Sequence, residues 1–293
     1  MKVVTGGQGP GKRDQETLDR ERARLPLTGP RRIVVLGCTR GAGQTVTALM
    51  TGHILAAARG VPVAALDLNP GSTSLAARST PAVSLAALLA GREPGHEPGQ
   101  RPSEGAGARL DVIGDLPGSD RPRTGEVENY HRLADLLAAR YPLTMIDAAP
   151  TGLTRLLAVA DQLILVAPAS PDAATSLANT QQWLNTHGYT GLAVRAVTVV
   201  NGVSRRTMPD VLRAESVARG RCRAIVRVPW DDLLSARLVT SGQLTMSDPP
   251  ATPAAVHPQT RLAYTALAGV LVAGMAAASR ASVPGRNPGE HSD

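Results

Sequence analysis

Residues 38–45 read Cys-Thr-Arg-Gly-Ala-Gly-Gln-Thr, a glycine-rich turn that ends in a hydroxyl. Such a turn lets backbone N–H groups converge on an anion, and a helix starting at its end adds positive potential. Thr45 stands where a hydroxyl would hold magnesium, and Arg40, Gly41, Ala42, Gly43, Gln44 and Val46 complete the candidate nucleotide contacts. The usual pattern asks for glycine at position 38 and lysine at position 44, where this chain has Cys38 and Gln44. On spacing alone, an ordinary tight strand-to-helix turn serves equally well. Three more polar residues close apolar runs. Asp67 is placed to position a metal or a water, Asp147 to bind the magnesium shell, and Asn201 to read an adenine edge. Taken singly, each is a common cap or turn residue. In this order, at these run ends, they point to ATP and magnesium. Asp67 and Asp147 would be the catalytic carboxylates of an active enzyme, and Thr45 with Asp147 the metal ligands.

The elements that must carry these residues are legible as runs. Apolar stretches at 33–36, 61–66, 110–113, 143–146, 162–167, 196–200 and 224–228 read as short buried strands. Between them, 44–59, 84–90, 126–140 and 173–187 have helical spacing. Strands alternating with helices imply right-handed crossovers: a doubly wound α/β fold, mostly parallel, covered on both faces. Ligands on such sheets lie beyond the carboxyl ends of the strands, where all the residues above fall. Residues 1–29, polar and broken by Gly and Pro, read as a flexible charged arm. Residues 30–279 form the folded domain, with a mobile loop at 91–108 dense in Gly, Pro and Glu, and 280–293 are a disordered tail.

With these stretches identified, the chain resembles the MinD/ParA family of deviant Walker-A P-loop ATPases over about residues 31–278. It looks closest to the actinobacterial MinD-like branch associated with type VII secretion. The carrying segments start at Val61 (VPVAALDLNPG), Ala160 (ADQLILV), Gln182 (QWLNTHGY) and Arg221 (RCRAIVRVPWD). The resemblance implies a loop with two lysines, and those positions are Thr39 and Gln44 here. The family's first loop glycine falls on Cys38, and a frequent catalytic aspartate on Asn69. The scaffold is thus kept while the charges that stabilise phosphoryl transfer are gone, and such transfer depends on positioning and electrostatics. The resulting expectation is a pseudo-ATPase, a regulator or adaptor of a secretion or cell-envelope machine, with ATP and magnesium bound weakly or not at all. Its rivals are a slow ATPase using Arg40 and a ParA-like DNA-partitioning protein. Because the family's early lysine reaches across a dimer and Thr39 cannot, self-association is expected to be indifferent to ATP.

Composition narrows the partners. Cys38 and Cys222 form no paired motif, which fits a reducing compartment. With two Trp, four Tyr and no Phe, stacking on single-stranded nucleic acid is disfavoured. The net charge is +7, and seven arginines lie between Arg205 and Arg227, against Asp210 and Glu215. That stretch is read as a contact for double-stranded DNA, an acidic protein face, or simply a solvated surface. The apolar run 262–278 reads as a buried terminal helix and not a transmembrane span. A cytoplasmic protein, brought to the membrane by a partner, is expected.

Overall fold

In the computed structural model, residues 2–4, 11–69, 74, 75, 85, 88, 108–114, 128–234 and 253–281 are described. Unbroken apolar runs become strands buried on both faces. These are Arg31–Gly37 (β2), Val63–Asp67 (β3), Leu110–Ile113 (β4), Leu143–Asp147 (β5), Gln162–Pro168 (β6), Val197–Val203 (β7) and Ala224–Pro229 (β8), joined at one edge by Lys2–Val4 (β1). Their order is β1-β8-β7-β6-β2-β5-β3-β4. Every pairing is parallel. β3, β4 and β5 lie on one side of β2 and β6, β7 and β8 on the other, so the crevice beyond β2, between β5 and β6, is the topological switch point.

The side-chain period of two divides the core into two layers. On one face Ile33, Val35, Val63, Met145, Val166 and Val199 meet the helices Gln44–Arg59 (α2) and Pro258–Ala281 (α8). On the other face Val34, Leu36, Leu66, Ile146, Leu165 and Ile225 meet Glu128–Ala138 (α3), Leu153–Ala158 (α4), Ala173–Thr186 (α5), Thr190–Arg195 (α6) and Met208–Ala218 (α7). α8 is the one helix among the described residues long and apolar enough to cross a membrane, and 67% of its most apolar window is buried in this fold. It fills the core with Tyr264, Leu267 and Leu271, all fully buried.

The N-terminal expectation is corrected. Lys2–Val4 pairs with Ala224–Val226, and Lys12–Ala23 is a helix (α1) packed along α8. Little of this is apolar. Contact is made by backbone proximity: a Cβ added at Gly269 would lie 2.6 Å from the Asp19 carbonyl oxygen. Two arginines then tie helix ends together. Arg59 donates to the carbonyls of Ala23 and Leu25 (2.9 and 2.8 Å), and Arg24 donates to that of Ala58 (3.0 Å). The folded unit therefore does not begin at residue 30. The sheet is wholly parallel, and α4, α6 and α7 are elements that hydropathy did not mark. The expected loop 91–107 and the end of the expected tail, 282–293, lie outside the described residues, as does most of 84–90, of which Leu85 and Leu88 are helical.

Candidate functional site

β2 ends at Gly37, and the turn 38–43 leads into α2 at the switch point. Gly41 and Gly43 have φ of 75° and 90°, in the left-handed region that glycine adopts without strain. At Gly43 a second constraint applies, because an added Cβ would meet the Asn201 amide nitrogen at 2.0 Å. The loop keeps the shape of an anion cradle. Its charge is different.

Gln44 does not extend into the cradle. Its Nε2 donates to Asp147 Oδ1 (2.5 Å) and to the Ala148 carbonyl (2.7 Å), while its Oε1 accepts the Gly37 N–H (2.6 Å). One carboxamide thereby ties the first residue of α2 to the ends of β2 and β5. A lysine has three donors and no acceptor, so it cannot take the Gly37 N–H. Thr45 Oγ1 donates to Asp147 Oδ2 (2.7 Å), leaving both oxygens of that fully buried carboxylate engaged by the start of α2. Asp67 lies beside Asp147 in register, and its Oδ1 accepts the Asn69 N–H (3.2 Å). Asn201 lies within β7, and its amide donates to the Ala42 carbonyl (3.0 Å). In this state it braces the loop. Arg40 is exposed on the loop, and Thr39 is half-buried with its carbonyl accepting the Ala42 N–H (3.3 Å). Burial pushes the Cys38 thiol up to about 11, so it is no ready nucleophile.

All of the expected site residues thus converge at the carboxyl ends of β2, β3, β5 and β7. Gln44's partners escaped sequence reading, since Ala148 and the Gly37 N–H are backbone groups that no motif names. Trp230 also went unweighted: it follows β8, is 61% exposed, and donates its N–H to the Val203 carbonyl (2.9 Å) beside Gly202. Asp231, Asp232 and His257 are clustered closely enough to suggest a metal site. However, Asp231 accepts the N–H groups of Leu233 and His257 (3.0 and 2.9 Å), and Asp232 raises the pKa of His257, favouring the protonated ring over a ligand.

The arginine stretch does not form one surface. Arg227 is bidentate on buried Glu215 (2.8 Å at Nη2), Arg213 pairs with Asp210, and Arg223 is half-buried against Gly274 of α8. Exposed Arg205 and Arg206 follow β7 at the site end. α7 then carries the chain back about 16 Å to Arg219 and Arg221 at the opposite end.

Comparison with solved structures settles the architecture. A ParA family ATPase from Chlorobium tepidum TLS superposes with a TM-score of 0.57 at 17% identity, covering 82% of this chain and 98% of that one. The fold is that of the MinD and ParA ATPases. MinD of Pyrococcus horikoshii OT3, solved with Mg-ADP, gives 0.55 at 14% identity over 82% of this chain and 95% of its own. MinD of Aquifex aeolicus gives 0.52 at 14% over 88% and 100%. No family model matches the chain. Among curated proteins, the ESX-1 secretion-associated protein EspI of Mycobacterium tuberculosis is 30% identical over 241 residues, 78% of this chain. The chain spans 35% of that relative's length. This similarity accords with the resemblance to the type VII secretion-associated branch of proteins with the MinD/ParA fold.

Magnesium-ATP, which the fold implies, finds only part of its site here. Thr45 and Asp147 are the oxygen donors a magnesium shell would use, and the backbone of Gly41 to Val46 offers the phosphate cradle. The cation expected at position 44 is replaced by a neutral amide already satisfied by protein groups. The oxygen donors therefore suit a magnesium ion, while position 44 brings no cation to a phosphate.

Proposed function

We propose that this protein is a pseudo-ATPase with the MinD/ParA fold, acting as regulator or adaptor of a secretion or cell-envelope machine through protein contacts. The observation that carries this reading is the Gln44 carboxamide. It stands at the lysine position and uses its donors and acceptor as a brace between β2 and β5. The similarity to a secretion-associated protein supports the choice of machine. The protein works in the cytoplasm and is carried to the membrane by its partner. Asp67 and Asp147 are structural residues of the site, and Asn201 holds the loop.

The test combines turnover with calorimetry. Purified protein should hydrolyse magnesium-ATP no faster than background. Gln44→Lys should tighten ATP binding about ten- to a hundredfold, since one charge-assisted hydrogen bond contributes about 1.5–3 kcal/mol. Turnover in the parent that disappears in Arg40→Ala would establish the slow ATPase instead. No gain from Gln44→Lys, with an unchanged melt, would mean that the cradle no longer holds phosphate.

A further inference from the structure

Parallel strands put all their amino ends on one side, and in this molecule that side is rich in arginine. Arg31 and Arg32 begin β2, Arg109 precedes β4, and Arg223 precedes β8. Arg195 ends α6, and Arg280 lies in the last turn of α8. Helix C-termini point the same way, and their partial negative charge attracts cations, so some of these arginines are accounted for by the fold. Arg24 and Arg59 cap helices, Arg31 and Arg32 share Asp161, and Arg109 pairs with Asp111. Among the described residues that uses Asp161 and Asp111 on this end, with Glu21, Asp135 and the Arg227-paired Glu215 a turn further up their helices. Among the described residues on this end, Arg280 is exposed without an ion pair at the end of α8, and so, further along the face, are Arg195, Arg219 and Arg221.

These three are neighbours. The Arg223 N–H donates to the Ala196 carbonyl (2.9 Å), which joins the approach to β8 to the residue after Arg195, and Gln162 donates to the Arg195 carbonyl (2.7 Å). From Arg223 to Arg31 is three strand steps, about 14 Å. The surface is also partly apolar. Val194, beside Arg195, is 53% exposed. At the end of α5 before α6, Trp183 stacks on His187 at 4.2 Å and lies near-parallel to Tyr189 at 6.4 Å.

We propose that this amino-end face, centred on Arg195, Arg219 and Arg221, docks an acidic, partly apolar segment of a partner protein. Guanidinium forks match carboxylates bidentately. Of the chain's 31 basic residues, only Lys2 and Lys12 are lysines, so nearly every cation has that geometry. Arginine beside aromatic and aliphatic side chains is the composition of a protein interface, whereas a DNA backbone would leave exposed Val194 without a partner. The inference rests on the adaptor reading and names its docking surface, on the end remote from the phosphate loop.

The experiment titrates the 293-residue chain into a labelled synthetic peptide of repeated Glu-Glu-Leu-Glu and, separately, a duplex DNA. Arg195→Glu with Arg221→Glu should weaken peptide binding at least about tenfold, and the milder pair Arg195→Gln with Arg221→Gln about threefold. Arg205→Glu with Arg206→Glu, at the other end, should stay within about twofold of the parent. Melting curves confirm that each variant is folded. Absence of binding by the parent, equal losses in both pairs, or duplex DNA bound more tightly through the same arginines would overturn the proposal. ATP turnover of the parent, recorded alongside, reads the adaptor assignment separately, because a hydrolysing protein could still dock through this face.

Discussion

Gly43 and Asn201 form the tightest contact of the phosphate loop, and each explains the other. The glycine supplies a left-handed N-cap, and the vacant Cβ position admits the amide that braces Ala42. Gly43→Ala therefore meets two penalties: backbone strain of about 1–2 kcal/mol and a steric overlap of about 1–3 kcal/mol. Urea melts should show a loss of about 2–5 kcal/mol, and adding Asn201→Ala should restore about 1–2 kcal/mol by removing the overlap at the cost of its hydrogen bond. If the second change gives no recovery, the amide does not occupy that space. The sequence puts Gly43 in the glycine-rich turn and Asn201 at the end of an apolar run, so their place in the site was legible. Their contact was not, because it joins positions 43 and 201 and depends on a side chain's orientation. Gln44 is similar: its anomaly is visible in the motif, while its partners come from β2 and β5.

α1 shows how an element can be missed, whereas the helix it packs on, α8, was legible as an apolar run. α1 has the sequence KRDQETLDRERA, in which only Leu18 and Ala23 are apolar, and Leu18 is 45% exposed. Its attachment relies on Gly269 and on the exchange of capping arginines, neither of which has a periodic signature. Gly269→Ala should lower stability by about 1–3 kcal/mol, because the added methyl faces the Asp19 backbone, which cannot rotate away. Glycine to alanine within a helix ordinarily stabilises by about 1 kcal/mol, so a gain in the melt would show that the two helices are not in contact. The strands, by contrast, were readable because double burial leaves continuous apolar runs. α7 was hidden among arginines, and α4 and α6 are each only six residues long.

For the whole molecule, the two ends of the sheet differ: Asp67, Asp147 and the loop stand at one, and Arg195, Arg219 and Arg221 beside exposed Val194 at the other. Linear order concealed this, since 205–227 runs from end to end and looks like one basic patch. Assembly follows from the loop end. Thr39 lacks the length and charge to bridge to a second subunit's phosphates, so sedimentation profiles should be the same with and without magnesium-ATP; a dimer formed only with ATP would overturn that expectation. The edge strand β1 has a consequence in time. Its partner β8 lies more than two hundred residues further along the chain, and α1 awaits α8, later still. A ribosome adding about 5–20 residues per second needs roughly ten to forty seconds to supply the missing neighbours. Throughout that interval β1 lacks its strand partner and α1 has only α2 beside it, until α8 completes the layer in which both helices settle.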